Sequence, residues 1–147
     1  MKLRVLWPGK TKKTYYKDAI DDYAFRIRRF IQFEIVESRE ESRTDKQRRI
    51  RIRKESASLA VQRRSPVFVF LDSTGKQFSS EEFANWLEKT STDVDFVLGG
   101  PEGSLAPDNA VRLSLGKMTL PHELARVVLL EQIYRALTIQ KKIPYHK

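Results

Sequence analysis

The chain of 147 residues contains no cysteine. This absence excludes disulfide bonds, a thiolate nucleophile and any metal site with cysteine ligands. Only two histidines are present, His122 and His146, and their separation along the sequence argues against a structural zinc site. The first residues lack the long apolar region of a signal peptide, and no stretch reaches the length of a membrane span. We therefore expect a cytoplasmic protein that uses neither a membrane nor a metal.

The charge balance is strongly positive. The 28 lysines and arginines outnumber the 19 acidic residues, which gives a formal net charge of +9. A single domain covering residues 1–147 is expected from the length. Such a charge on so small a domain favours a polyanionic partner, and because the basic residues are clustered we expect nucleic acid.

Strands and helices are predicted to alternate along the chain. Short β-branched and aromatic runs indicate strands at 3–7, 33–37, 66–72, 94–98 and 111–115, with a turn at 73–76. Helical spacing marks a first helix from Thr14, a second over 43–64, a third capped by Ser79 or Ser80, and a last one over 124–139. This order predicts an α/β fold with a largely parallel sheet.

The last helix is apolar nearly all round, which is unusual for the surface of a small domain. Leu124, Val127 and Val128 lie on one side, whereas Leu129 and Ile133 lie on others. Such a helix must be covered on more than one face. The sheet of the same chain supplies one cover, and a second copy of the chain is the most plausible source of the other. A tail that follows a buried interface helix then points to a site shared between two subunits.

Three predicted strand ends surround one crevice. They are Leu71, the glycine-rich stretch 99–103, and 115–120, which leads into the last helix. Ligands of open α/β sheets bind beyond the carboxyl ends of strands, and apolar side chains with free backbone groups suit a flat heteroaromatic ligand such as adenine. From this pattern alone, tight turns and a plain connecting loop remain the simpler interpretation.

Several charged and aromatic residues are candidates for function. Arg126 is predicted to lie beside the crevice, whereas Glu131 and Arg135 are four residues apart and are expected to pair. At the terminus, Tyr145 offers a stacking face and His146 a proton acceptor near neutral pH, although a frayed tail is the default.

A basic segment, 43–64, has a thin predicted apolar stripe of Ile50, Ala57 and Val61. Its arginines and lysines suit phosphate contacts, and a solvated helix face is an equally good interpretation. The basic residues concerned are Lys46, Arg48, Arg49, Arg51, Arg53, Lys54, Arg63 and Arg64.

Four segments taken together, 96–103, 113–122, 126–136 and 144–147, closely resemble the RlmH family of small SPOUT methyltransferases. The family acts on N3 of a pseudouridine in large-subunit ribosomal RNA. The likeness runs through the whole chain in order, since the opening strand, Gly9, the first helix and the turn around Gly75 also align. It implies an α/β knot with a C-terminal trefoil, built on a mostly parallel sheet of five or six strands with helices on both faces.

The resemblance also implies the site. S-adenosylmethionine (SAM) would lie in the knot, and the C-terminal tail of one subunit of a homodimer would complete the active site at the cofactor of the other. Catalytic residues would be His146, Tyr145 and Arg126, with the assembled ribosome as a partner. The cofactor-binding residues would be Leu71, Gly99, Leu115, Gly116, Lys117, Met118, Thr119 and Leu120.

This chain departs from the family pattern in three places. The segment between Gly103 and Leu113 is shorter, Gly116 replaces a more usual serine, and Lys142 stands where glycine or asparagine is common. If position 142 needs a left-handed backbone, lysine costs about 1 kcal/mol there. Two other functions stay open: a non-catalytic RNA- or ribosome-binding protein with a knotted fold, and a SPOUT methyltransferase that acts on transfer RNA.

Overall fold

The computed structural model describes residues 1–39, 48–99 and 110–147. These residues form five strands and four helices. The strands are β1 (Lys2–Pro8), β2 (Gln32–Ser38), β3 (Val67–Gln77), β4 (Val94–Val97) and β5 (Val111–Ser114). The helices are α1 (Thr14–Arg28), α2 (Arg48–Gln62), α3 (Ser80–Thr90) and α4 (His122–Gln140).

All pairings in the sheet are parallel, in the order β2-β1-β4-β3-β5. The carboxyl ends of the strands therefore meet at one edge, which we call the C-terminal edge. The predicted α/β class, parallel sheet and strand number are confirmed. The trefoil knot depends on the path of residues 100–109, which lie outside the described residues, as do Lys46 and the predicted helix start at 43–47.

The two faces of the sheet carry separate cores. Side chains alternate along β1, so that Leu3, Val5 and Trp7 face the larger core and Leu6 faces the smaller one. Helices α1, α3 and α4 cover the larger core. Helix α2 covers the smaller core through Leu59. Helices thus lie on both faces, as predicted.

Helix α4 lies between α1 and α3 and contacts both. Leu129, Leu130 and Ile133 are fully buried against the sheet. The opposite side, with Leu124, Val127 and Val128, is only half-buried by the chain itself. The prediction that apolar residues extend around α4 is therefore confirmed, and we call this half-buried side the outer stripe.

The predicted stripe of α2 is wrong. Ile50 is 50% exposed and Val61 73% exposed, and Ala57 is also exposed. The buried side instead presents Arg51, Glu55, Ser56 and Leu59 to the protein. Hydrophobic periodicity could not identify this side because three of its four residues are polar.

Strand β3 does not end at Asp72 as predicted. Leu71 and Lys76 both lie opposite Leu113, so the four residues between them bulge out before the strand resumes. Gly75 makes this return possible, since a Cβ there would lie 2.7 Å from the backbone carbonyl carbon of Arg112. The predicted turn is thus a bulge within one strand.

The described part of the chain contains neither a membrane-spanning helix nor a group of metal ligands. None of its helices has both the length and the apolarity that a bilayer span requires. Within the same ranges, no three histidine or acidic side chains are grouped so that they could hold a metal ion.

Candidate functional site

A cleft of about 250 Å³ opens at the C-terminal edge, between the bulge of β3, the β5–α4 loop and the first turn of α4. Its walls come from three separate parts of the sequence, because parallel strands bring their carboxyl ends together. The lining residues are Leu71, Asp72, Ser73, Ser114, Leu115, Gly116, Met118, Thr119, Leu120 and Ala125.

Six of the eight predicted cofactor residues line this cleft: Leu71, Leu115, Gly116, Met118, Thr119 and Leu120. The other two do not. Gly99 follows β4 at the same edge but is not part of the cleft wall, and Lys117 is exposed. Sequence reasoning missed Asp72, Ser73, Ser114 and Ala125. The predicted turn at 73–76 was the available signal for the first two.

The β5–α4 loop is held by its own hydrogen bonds. The Ser114 hydroxyl donates to the carbonyl oxygen of Gly116 at 2.9 Å and accepts from its N–H at 3.1 Å. Gly116 has φ of +140°, a conformation that side chains disfavour, and the space where a Cβ would lie is open. The backbone is therefore accessible at this point of the cleft wall.

Asp72 places a negative charge at the cleft. Its carboxylate accepts hydrogen bonds from the Thr74 N–H and hydroxyl, both at 2.9 Å. The backbone hydrogen bond from Thr74 is the main cause that lowers the pKa of Asp72, and burial opposes it only in part. An ionised carboxylate here can accept hydrogen bonds from ligand hydroxyls and attracts positive charge.

Arg126 is 1% exposed and lies inside the protein rather than at the crevice surface. Its guanidinium donates to the carbonyl oxygen of Pro8 at 2.7 Å and to the Thr11 hydroxyl at 3.0 Å. These contacts give it a structural role at the end of β1. The predicted contact with a phosphate or cofactor carboxylate stays a prediction.

One turn earlier, Glu123 holds the start of α1. Its carboxylate accepts from the backbone N–H groups of Lys12 and Lys13 at 3.1 Å. Burial alone raises the pKa of Glu123, but these hydrogen bonds together with the charges of His122 and Arg126 outweigh it, so that the pKa is lowered. Lys13 caps α1 without a side-chain hydrogen bond of its own, and Glu123 fixes the backbone that leads into the helix at Lys12 and Lys13.

The C-terminal tail folds back onto α4 and α3 of its own chain. The Tyr145 hydroxyl donates to Glu131 Oε1 at 3.2 Å, and the Tyr145 ring meets Tyr134 edge-on at 4.7 Å. Arg135 pairs with Glu131 at 2.6 Å, which confirms that predicted pair. His146 lies 3.0 Å from Arg135 through Nδ1 and 2.6 Å from Glu81 through Nε2.

These partners determine the proton positions. An arginine can only donate, so Nδ1 of His146 accepts from Arg135, and Nε2 carries the hydrogen and donates to Glu81. Burial raises the pKa of Tyr145, and hydrogen bonding with Tyr23 adds to the effect. The tyrosine therefore stays protonated near neutral pH, and both nitrogens of the His146 imidazole are engaged in hydrogen bonds.

The tail does not reach the cleft of its own chain. Glu131 and Arg135 lie six and ten residues beyond Ala125, or about 9 and 15 Å along the helix axis. A smaller cavity of about 160 Å³ lies between the tail and the cleft. Its lining includes Ser80, Val128 and Gln132, and it shares Ser114 and Leu115 with the cleft. Sequence reasoning did not predict this cavity.

The basic helix α2 runs from one edge of the sheet to the other. Its last residues lie at the opposite edge, where the Gln62 carbonyl accepts from Arg4 and the Arg64 N–H donates to Asp95. Arg63 stacks 4.1 Å from the centre of the Phe68 ring. Helix α2 is about 22 Å long at 1.5 Å per residue. Only its beginning, with exposed Arg49, Arg53 and Lys54, is near the C-terminal edge.

Comparisons with known proteins agree with this geometry. The chain matches the model of the family described as predicted SPOUT methyltransferase over residues 1–146. It is also similar to the ribosomal RNA large subunit methyltransferase H of Streptococcus pneumoniae strains CGSP14 and ATCC 700669. Each relative is 42% identical over 160 aligned residues, and the alignment covers 100% of both chains.

A solved structure shares the fold. It is the protein Lpg2936 from Legionella pneumophila, in complex with the bound cofactor SAM. The superposition has a TM-score of 0.50 at 10% sequence identity, and it covers 90% of this chain. This chain spans 65% of the Legionella chain.

Proposed function

This chain belongs to the SPOUT methyltransferase family, and we propose that it transfers a methyl group from SAM to ribosomal RNA of the large subunit. The observation that carries the proposal is the cleft at the C-terminal edge, where Leu71 and five residues of the β5–α4 loop, all singled out by the family resemblance, line one cavity. Full-length relatives named for this reaction support the substrate class. A ribosomal substrate also implies a cytoplasmic enzyme.

The cleft suits SAM chemically. Leu71, Leu115 and Leu120 offer apolar surface for the adenine ring, and the Gly116 carbonyl oxygen, which keeps a second lone pair beside its hydrogen bond from Ser114, can accept from the adenine amino group. The ionised Asp72 suits ribose hydroxyls and the positive sulfonium. When bound, SAM supplies a methyl group that is already activated by its sulfonium sulfur. The protein mainly has to align the acceptor and remove its proton.

We propose N3 of a pseudouridine as the acceptor and His146 as the group that takes its proton. Imidazole is the side chain best suited to accept a proton near neutral pH. Tyr145 remains protonated because burial raises its pKa, so its proposed role is to stack on the base or orient it. To act as a base, His146 has to release the hydrogen bond from Arg135, because the free lone pair of the imidazole is on Nδ1 and Nε2 carries the hydrogen.

A homodimer would bring the tail and a cleft together. The cleft lies at the beginning of α4 and the tail contacts its second half, so each chain has both parts at opposite ends of one helix. Two α4 helices packed antiparallel through their outer stripes would place the tail of each chain beside the cleft of its partner. The half-buried Leu124, Val127 and Val128 supply the apolar contact that such packing needs.

The first test is His146→Ala, assayed with radiolabelled SAM and large ribosomal subunits from cells that lack this protein. We expect turnover at saturating SAM to fall by about 10²- to 10⁴-fold. The affinity for SAM, measured by calorimetry, should be unchanged. Lys147→Ala, in the adjacent exposed residue, is the matched control and should remain fully active. Undiminished turnover in the histidine variant would exclude His146 as the base.

A mixing experiment tests the shared site. Thr119→Trp should block the cleft from its exposed wall, whereas His146→Ala removes only the tail function. Co-expression of the two variants should restore about a quarter of the wild-type activity, since half of the dimers then contain one intact cleft opposite one intact tail. No restoration, or a monomeric wild-type protein in light scattering, would contradict the dimeric site. Nucleoside mass spectrometry of the product identifies the methylated base.

A further inference from the structure

The loop between β1 and α1, residues 9–13, is fixed by α4. We call it the lysine loop because Lys10, Lys12 and Lys13 all lie in it with exposed side chains. Glu123 binds its backbone at Lys12 and Lys13, and Arg126 binds it at Thr11. Glu123 and Arg126, two charged residues of α4 that the proposed chemistry does not use, therefore hold this loop in place.

The loop lies at the same edge of the sheet as the cleft. It follows directly from the carboxyl end of β1, which is two strands away from β3. Ala125 lines the cleft, and its neighbour Arg126 contacts Thr11 of the loop. The cleft and the lysine loop therefore flank the same first turn of α4, and their separation is set by side chains that are almost fully buried.

The loop keeps positive charge at its surface. Glu123 receives backbone N–H groups, so its carboxylate anchors the chain without taking up the ammonium groups of Lys10 or Lys13. Lys17, one turn into α1, differs because it pairs with Asp21 at 3.0 Å. An anchored backbone that presents exposed lysines is suited to phosphate oxygens, which lysine contacts as a point charge.

We propose that Lys10 and Lys13 bind phosphates of the RNA strand that carries the acceptor base. The proposal rests on the proposed function and adds how the substrate is held. Because α4 fixes the loop relative to the cleft, a phosphate bound there keeps the RNA backbone at a set distance from the methyl donor. These contacts position the strand and do not read its sequence. Arg63 and Arg64, at the other edge of the sheet, are not suited to this role.

The test compares Lys10→Gln/Lys13→Gln with Arg29→Gln/Lys89→Gln. The second pair removes the same charge from exposed residues near the opposite edge, after α1 and at the end of α3. Large ribosomal subunits from cells lacking the protein are the RNA probe. Binding to them is measured over a salt titration, methylation is measured separately, and SAM affinity is measured by calorimetry.

For the lysine-loop pair we expect KM for the ribosomal substrate to rise roughly tenfold, with SAM affinity unchanged. The slope of log affinity against log salt should fall by about 1 to 2, as two lost phosphate contacts require. The control pair should change KM and the salt slope much less. If the two pairs of substitutions have equal effects and the wild type still methylates the subunits, the proposed role of the loop is wrong but the proposed function is not. If the wild type binds subunits but does not methylate them, the proposed function fails, and the binding data still decide whether the loop contacts RNA.

Discussion

The guanidinium of Arg126 lies 4.8 Å from the centre of the Trp7 ring, and both side chains are buried. The cation thus contacts an aromatic face while its N–H groups bind Pro8 and Thr11. A buried charge is tolerated only where its donors are satisfied, and here the end of β1 satisfies them. One residue therefore connects the helix beside the cleft to the end of β1, an inner strand of the sheet.

We predict that Arg126→Lys destabilises the protein. Lysine keeps the charge but cannot reach both oxygens with a planar fork, so we expect a loss of about 1–3 kcal/mol in the free energy of unfolding. Urea denaturation at fixed protein concentration measures it. Arg112→Lys is the control, because its ion pair with Asp72 is exposed and long at 3.4 Å. Unchanged stability with lost methylation would instead indicate a direct catalytic role for Arg126.

Arg126 also shows the limit of sequence reasoning. Its place in an apolar helix marked it as unusual, and proximity to the crevice suggested a ligand. Periodicity gives the face of a helix but not the loop that lies over that face. Glu123 was not singled out at all, since an acidic residue at a helix start is ordinary. The contacts of both residues join positions more than 100 apart in the sequence.

The fold was easier to predict than the site. Strands and helices repeat local patterns, and their alternation is sufficient to indicate a parallel sheet. Helix α2 is the exception, because its buried Arg51 and Glu55 mimic a solvated face. Strand ends located most of the cleft residues, but only the family resemblance assigned them to a cofactor. Asp72 was missed because a strand that bulges and resumes looks like a strand followed by a turn.

We predict that Glu123→Gln removes a pH-dependent contribution to stability. The folded pKa of Glu123 lies below its ordinary value of 4.5, so the unfolded chain binds the proton more readily. The contribution is therefore complete above about pH 5 and is lost as the pH falls through the folded pKa. At pH 7 the variant should lose about 1–2 kcal/mol, since an amide accepts these hydrogen bonds less strongly.

Unfolding of both proteins between pH 3 and pH 7 measures this effect. The gap between wild type and variant should close towards the acid end. Glu88→Gln, an exposed glutamate on α3, serves as the control and should leave the pH profile unchanged. A constant gap at every pH would show that the charge of Glu123 contributes nothing.

We predict that Gly75→Ala separates β3 from β5. The added Cβ would lie 2.7 Å from the backbone nitrogen of Leu113 and 2.8 Å from the carbonyl oxygen of Arg112, and backbone atoms cannot move aside cheaply. The expected loss is about 1–3 kcal/mol in the free energy of unfolding. Weaker SAM binding should accompany it, because β5 leads into the loop that lines the cleft. Gln77→Ala, exposed at the end of the same strand, should change neither quantity.

We predict that Lys142→Gly stabilises the protein by about 1 kcal/mol, because φ at this position is +54° and glycine adopts that conformation without strain. The residue ends α4 in a left-handed turn, where the Ile143 N–H donates to the Thr138 carbonyl at 2.9 Å. Thermal unfolding should shift upward by about 2–4 °C. Lys141→Gly removes the same charge at φ of −91° and should not stabilise. If both glycine variants behave alike, backbone strain at Lys142 does not limit stability, and the tail direction follows from the Tyr145 and His146 contacts alone.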